Sequence, residues 1–93
     1  MKLSVIVTTY NRPHALKRVL EGLFCQTRLP REILVADDGS TEETRDLVDG
    51  CRADSPVPLV HVWQADKGFR LSRIRNKGIL KATGEYLVIL DGD

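Results

Sequence analysis

Leu3-Ser4-Val5-Ile6-Val7-Thr8-Thr9-Tyr10-Asn11-Arg12-Pro13 joins an apolar, β-branched run to a proline. The run through Thr9 predicts a strand. Pro13 suits the first turn of a helix, where its missing N–H has no intrahelical partner to lose. Beyond it, Leu16, Val19, Leu20, Leu23 and Phe24 fall on one helical face. Three further apolar runs follow, at Glu32–Ala36, Leu59–Trp63 and Tyr86–Leu90. All four are nearly continuous rather than alternating, the pattern of strands covered on both faces. A second helix opens with Ser40-Thr41-Glu42-Glu43, read as a capping box, and continues with Leu47, Val48 and Cys51 on one face. A third covers about Leu71 to Ala82 and ends before Gly84, which suits a C-cap. The order β-α-β-α-β-α-β predicts an α/β, Rossmann-like parallel sheet with helices on both faces.

Such a sheet binds ligands beyond the C-terminal ends of its strands. Three of those ends carry unusual polar residues: Thr8-Thr9-Tyr10-Asn11, Asp37-Asp38-Gly39-Ser40 and Asp91-Gly92-Asp93. Donors at Thr8, Thr9, Tyr10 and Asn11 can hold a phosphate or ribose, and Tyr10 could cover a base; Asn11 could instead cap the first helix. A carboxylate at Asp37 or Asp38 could accept from a ring N–H or from ribose hydroxyls, while one of the two can serve merely to start the turn. Asp91 and Asp93, one residue apart, can reach one spot. Two adjacent carboxylates repel unless a cation sits between them, and hard oxygen ligands suit Mg²⁺ or Mn²⁺ bridged to phosphates. The bland alternative, an Asp-Gly turn, explains Asp91-Gly92 but not Asp93. Lys67 to Lys77 is the densest basic stretch. Within it Arg75 lies four residues from both Leu71 and Ile79. A guanidinium beside apolar positions calls for a phosphate or an aspartate as its partner.

Composition narrows the field. Ninety-three residues make one small domain or part of a larger one. Fourteen Lys and Arg balance thirteen Asp and Glu, so no net field points to nucleic acid or to a membrane surface. Cys25 and Cys51 lack metal or redox spacing and read as free thiols buried on helices, which fits a reducing cytoplasm. His14 and His61 have no metal-ligand companions and read as structural or surface; Trp63 reads as core. No apolar stretch approaches the ~20 residues of a membrane span, and the N-terminus carries no signal-peptide pattern.

Together these segments resemble the family 2 glycosyltransferases of the GT-A fold. The matching segments, in the family's order, are Ser4–Pro13, Glu32–Thr41, Arg75–Gly78, Ala82–Tyr86 and Leu90–Asp93, and Lys67–Leu71 resembles a subgroup of bacterial polysaccharide and galactosyltransferase-like enzymes. The resemblance implies the N-terminal, nucleotide-sugar-binding half of a GT-A fold over residues 1–93, with a donor that is most often a UDP-sugar. It implies that Thr8 and Tyr10 frame the nucleotide, that Asp38 contacts uracil or ribose, and that Arg75 lies near the pocket. Asp91 and Asp93 would be the metal-binding acid pair, with Asp93 the direct ligand of Mn²⁺ or Mg²⁺. The acceptor would be a saccharide or lipid-linked saccharide, the outcome inversion, and the catalytic base a residue beyond Asp93. The chain stops at the acid pair, so the expectation is weak activity at best and self-association through an exposed fourth strand. The full-length protein would be cytoplasmic, with peripheral membrane attachment left open. Two alternatives stand beside this reading. One is a phosphohydrolase of the haloacid-dehalogenase type, with Asp91 as nucleophile and Asp93 as acid/base. The other is a non-catalytic nucleotide-binding module.

Overall fold

The computed structural model describes residues 2–65 and 71–92. The element order is β1 (Leu3–Thr9), α1 (Pro13–Phe24), β2 (Glu32–Asp37), α2 (Glu42–Arg52), β3 (Leu59–Trp63), α3 (Leu71–Lys81) and β4 (Tyr86–Asp91). The four strands form one sheet in the order β3-β2-β1-β4, and every pairing is parallel. Two strands run one residue further than the apolar pattern alone indicates. Asp37 pairs in register with Thr9 and Trp63, and Asp91 with Thr8, so the ladder continues into both acids.

Alternation along the strands builds two cores. Val5 and Val7 of β1, Ile33 and Val35 of β2 and Leu59 of β3 meet Leu16, Leu20 and Leu23 of α1 and Val48 and Cys51 of α2. On the opposite face Ile6, Leu34, Ala36 and Val62 meet Ile74 of α3. Ile6, Leu16, Leu20, Leu34 and Ile74 are fully or almost fully enclosed, each stabilising the fold by about 1.5–3 kcal/mol. Gly78 lets α3 lie close to the sheet, because a Cβ there would meet Ile6 Cγ2 at 3.2 Å. Burial pushes the Cys51 thiol pKa up, which keeps it an apolar core group despite the nearby Lys17.

Four expectations are corrected. Cys25 is exposed and sits past the end of α1, its N–H bonded to Glu21 O, because the apolar face closes with Phe24. Trp63 is 52% exposed, since it ends β3 beyond the helical cover. The capping box at α2 does not form: Thr41 is the N-cap and its side chain makes no capping bond, while the Ser40 hydroxyl serves a neighbouring loop. Continuous coverage holds for β1 and β2 but fails for β4, where Tyr86, Leu87, Val88 and Ile89 are 56, 42, 39 and 44% exposed. β4 occupies an edge, and α3 packs over β1, β2 and β3 instead.

β4 is nevertheless tied firmly to β1 at its start. Glu32 Oε2 accepts from Ser4 Oγ at 2.7 Å, from Thr83 N at 2.6 Å and from Thr83 Oγ1 at 2.9 Å. Ser4 Oγ in turn accepts from Gly84 N at 2.9 Å. The Gly84 Cα passes so close that a Cβ would lie 2.5 Å from Ser4 Oγ and 2.9 Å from Lys2 O. Gly84 is needed for this close approach.

Candidate functional site

The parallel sheet brings its four C-terminal ends to one rim. The register sets Asp91 beside Thr8, Thr9 beside Asp37, and Asp37 beside Trp63. Adjacent strands lie about 4.8 Å apart, so Asp91, the Thr8–Thr9 pair, the Asp37–Asp38 pair and the end of β3 line one edge in that order. This is the convergence that the three polar strand ends predict.

Each residue has a definite place. Thr8 is buried, and its hydroxyl donates to Leu90 O at 3.4 Å, bridging to β4. Thr9 is 3% exposed, and its Oγ1 is a buried polar atom with no hydrogen-bond partner among the described residues. Such an atom needs an acceptor or donor from elsewhere. Tyr10 stands at the rim, 41% exposed. Asp91 is exposed at the end of β4. Gly92 bonds back through its N–H to Thr8 O at 2.7 Å, and a Cβ there would meet that oxygen at 2.6 Å, so the glycine is required by the β1–β4 contact itself. Asp93 lies outside the described residues, as do Lys67 and Arg70 and most of the Lys67–Leu71 segment.

Asp37 and Asp38 part company because successive strand residues face opposite ways. Asp37 has no exposed surface. Its Oδ1 accepts from Ser40 N at 2.9 Å, and its Oδ2 meets His61 Nε2 at 2.8 Å. Both oxygens are engaged inside the protein, which corrects the expectation of ligand contact by Asp37: it is the acid that shapes the turn. Asp38 is 2% exposed and lies on the α3 side, where Gln64 Nε2 donates to its Oδ1 at 2.6 Å. Its own N–H donates to Thr9 O at 3.1 Å. Asn11 is not the cap of α1, a position held by Arg12; its Oδ1 accepts from Thr41 N at 2.9 Å. Arg75 is half-buried, four residues into α3, beside the core residue Ile74. Among the described residues it makes no ion pair with a strand-end aspartate.

Sequence reasoning missed Gln64 and Ser40. Gln64 follows β3, and applying the strand-end rule to that strand as well finds it. Ser40 reads in the sequence as part of a cap, whereas its hydroxyl accepts from Asn11 N at 2.8 Å. A cleft of about 390 Å³ opens near the same rim but on the α2 face, lined by Ser40, Thr41, Glu42, Arg45, His61 and Trp63. Asp38 and Asp91 do not line it.

No group of three or more His, Cys, Asp or Glu able to hold a metal ion occurs among the described residues. The rim still fits a hard divalent cation of the kind held by one or two carboxylates plus substrate phosphates. Asp91 presents a carboxylate there, beside its register partner Thr8.

A family model described as Glycosyl transferase family 2 matches residues 4–93. Validoxylamine A glucosyltransferase of Streptomyces hygroscopicus subsp. limoneus is 41% identical over 91 residues, covering 96% of this chain and 20% of that protein. Hyaluronan synthase of Pasteurella multocida is 38% identical over 92 residues, covering 98% of this chain and 9% of the synthase. Among solved structures, the mannosyltransferase PcManGT from Pyrobaculum calidifontis, in complex with GDP-Man and Mn²⁺, superposes with a TM-score of 0.86 at 30% identity, covering 99% of this chain and 27% of that one. Staphylococcus aureus TarS superposes with a TM-score of 0.81 at 31% identity, covering all of this chain and 17% of that one. The chain thus spans less than a third of the length of these relatives. The match decides against the phosphohydrolase reading of Asp91 and Asp93. The four-stranded parallel sheet with its helices is the N-terminal part of a GT-A fold, and the chain belongs to glycosyltransferase family 2.

Proposed function

We propose that residues 1–93 are the donor-binding part of a longer transferase, which moves a sugar from a nucleotide-sugar to a saccharide or lipid-linked saccharide. The observation that carries this reading is the meeting of Thr8–Tyr10, Asp38 and Asp91 on one rim of the sheet. The likeness to a mannosyltransferase bound to GDP-Man and Mn²⁺ supports a nucleotide-sugar and a divalent ion. A UDP-sugar remains the donor of choice in this proposal, with a GDP-sugar as the alternative to test.

Each group then has a task. Tyr10, half-exposed at the rim, offers its ring to the base. Asp38, oriented by Gln64, accepts from the base N–H or the ribose. Thr8, the register partner of Asp91, frames the nucleotide with Tyr10. Arg75 balances the charge of the diphosphate. Asp91 and Asp93 would hold Mn²⁺ or Mg²⁺, which would supply Lewis-acid charge against the diphosphate leaving group. Displacement inverts the anomeric centre, with the base contributed by a residue beyond Asp93.

Calorimetric titration with UDP and with GDP, each with and without Mn²⁺, tests the reading. Manganese-dependent binding of one nucleotide, weakened at least tenfold by Asp91→Asn, is the expected result. Binding that ignores both manganese and the substitution would refute the metal assignment. A folded protein that binds neither nucleotide would refute the donor assignment.

A further inference from the structure

Asn11 is the one non-glycine residue with a positive φ, 48°, among the described residues. Asparagine tolerates this left-handed region better than other side chains with a Cβ. Its two polar contacts explain why the chain adopts it. The Asn11 N–H donates to Ser40 Oγ at 2.8 Å, and Asn11 Oδ1 accepts from Thr41 N at 2.9 Å. The bonds run in opposite directions between the same two loops, so they fix both their separation and their tilt.

Ser40 is held from the other side as well. Its N–H donates to Asp37 Oδ1 at 2.9 Å, and its carbonyl accepts from Trp63 Nε1 at 3.2 Å. Asp37 is itself braced by His61 at 2.8 Å, with side-chain exposures of 0% and 9% for the pair. One serine, 6% exposed, is therefore fixed through its N–H, its C=O and its hydroxyl by three different elements. The turn that leads into it is formed by Gly39, whose φ of 93° suits only glycine.

The residues adjoining this joint are the ones assigned to the nucleoside. Tyr10 immediately precedes Asn11, and Asp38 lies two residues before Ser40. We propose that Asn11 is a positioning residue, whose side chain grips the Thr41 N–H while its own N–H grips Ser40 and the Asp37–His61–Trp63 brace, so that Tyr10 and Asp38 are held at the spacing a nucleoside requires without Asn11 touching the donor itself. This inference rests on the donor reading above. Its physical basis is preorganisation: loops already held in the bound geometry lose less freedom on binding.

The test uses Asn11→Gly and Asn11→Asp in the intact protein. Glycine keeps the backbone conformation and deletes the side-chain acceptor; aspartate restores the acceptor. Three quantities are read: amide hydrogen exchange in segment 38–41 without ligand, the Kd for UDP and GDP with Mn²⁺, and the unfolding midpoint. Asn11→Gly should accelerate exchange in segment 38–41 and weaken nucleotide binding about tenfold. Asn11→Asp should bring both back to within about threefold of wild type. Unchanged exchange in Asn11→Gly would overturn the tether. A lower midpoint with unchanged Kd would reduce Asn11 to a structural residue and overturn the positioning role. Should the wild type bind neither nucleotide, the donor reading falls and takes the positioning role with it, while faster exchange would still establish the tether.

Discussion

Glu32→Gln is a near-isosteric change at the point where β4 is fastened to the sheet. The carboxylate is 8% exposed, and a single oxygen accepts three hydrogen bonds, from Ser4 Oγ, Thr83 N and Thr83 Oγ1. Burial alone would raise the Glu32 pKa. The bonds from the Thr83 N–H and the Ser4 and Thr83 hydroxyls, with Arg31 nearby, outweigh it and hold the pKa below its ordinary value. Hydrogen bonds to a charged group contribute about 1.5–3 kcal/mol each, against about 0.5–1.5 for neutral pairs. A neutral amide is also less costly to bury, which offsets part of the loss. The net expectation is a destabilisation of about 2 kcal/mol, or about 8–16 °C in Tm for a domain of this size. The pH dependence has a definite sign. Because the folded pKa lies below the unfolded one, the unfolded state binds more protons in the interval between them. The stabilisation is then complete above the unfolded value and is lost as pH falls through the folded value. Urea unfolding of wild type and variant at neutral pH and at several points below about pH 4.5 reads this directly. The two should differ most at neutral pH and converge on acidification. Equal midpoints at pH 7, or a gap that widens as pH falls, would refute the assignment of Glu32 as an ionised clamp.

Gly84→Ala should cost at least ~2 kcal/mol in the same urea experiment, because its Cβ would lie 2.8 Å from Ser4 N and 2.9 Å from Lys2 O, backbone atoms that cannot swing aside. Gly50→Ala, where a Cβ meets nothing within 4 Å, is the matched control and should stabilise by a few tenths to ~1 kcal/mol. The edge strand carries the proposal of self-association: sedimentation velocity of the 93-residue chain should show concentration-dependent oligomers that Ile89→Lys suppresses, and a wild type that stays monomeric at high concentration would refute it.

Much of the fold was legible because period and order carry it. Four apolar runs separated by three amphipathic stretches leave a parallel sheet as the simple solution, and the observed elements begin and end within a residue or two of the sequence reading. Two of the errors share one cause. Trp63 and β4 lie where the apolar pattern is intact but no described element of these 93 residues covers it. Local hydrophobicity reports what a segment would bury, and only the packing of other segments decides whether it does. The Tyr86–Leu90 run reads like Glu32–Ala36, yet one is an edge and the other is flanked by strands on both sides.

The rim shows the same division at finer scale. Asp37 and Asp38 are chemically identical, and composition offers no reason to treat them differently. Strand alternation does: once β2 extends through Asp37, the two carboxylates must leave the sheet on opposite sides. On the α2 side the acid meets His61 and the Ser40 N–H and becomes part of the scaffold; on the α3 side it meets Gln64, on the face of the proposed donor site. The parity was available in the sequence, because β2 begins its inward run at Ile33 and odd positions follow it into the α1–α2 core. What the sequence could not supply was the partner. His61 is 24 residues away from Asp37 and Gln64 is 26 from Asp38, and nothing in either spacing marks the pair. Parallel pairing of β2 with β3 creates both contacts at once. Replacing either aspartate should therefore have a distinct signature. Asp37→Asn should lower stability by about 1–3 kcal/mol, because it weakens the bonds to the buried His61 ring and the Ser40 N–H. Asp38→Asn should act mainly on nucleotide affinity. If thermal unfolding and calorimetric titration showed the reverse pattern, Asp37 would be the acid that meets the ligand and Asp38 the one that holds the scaffold.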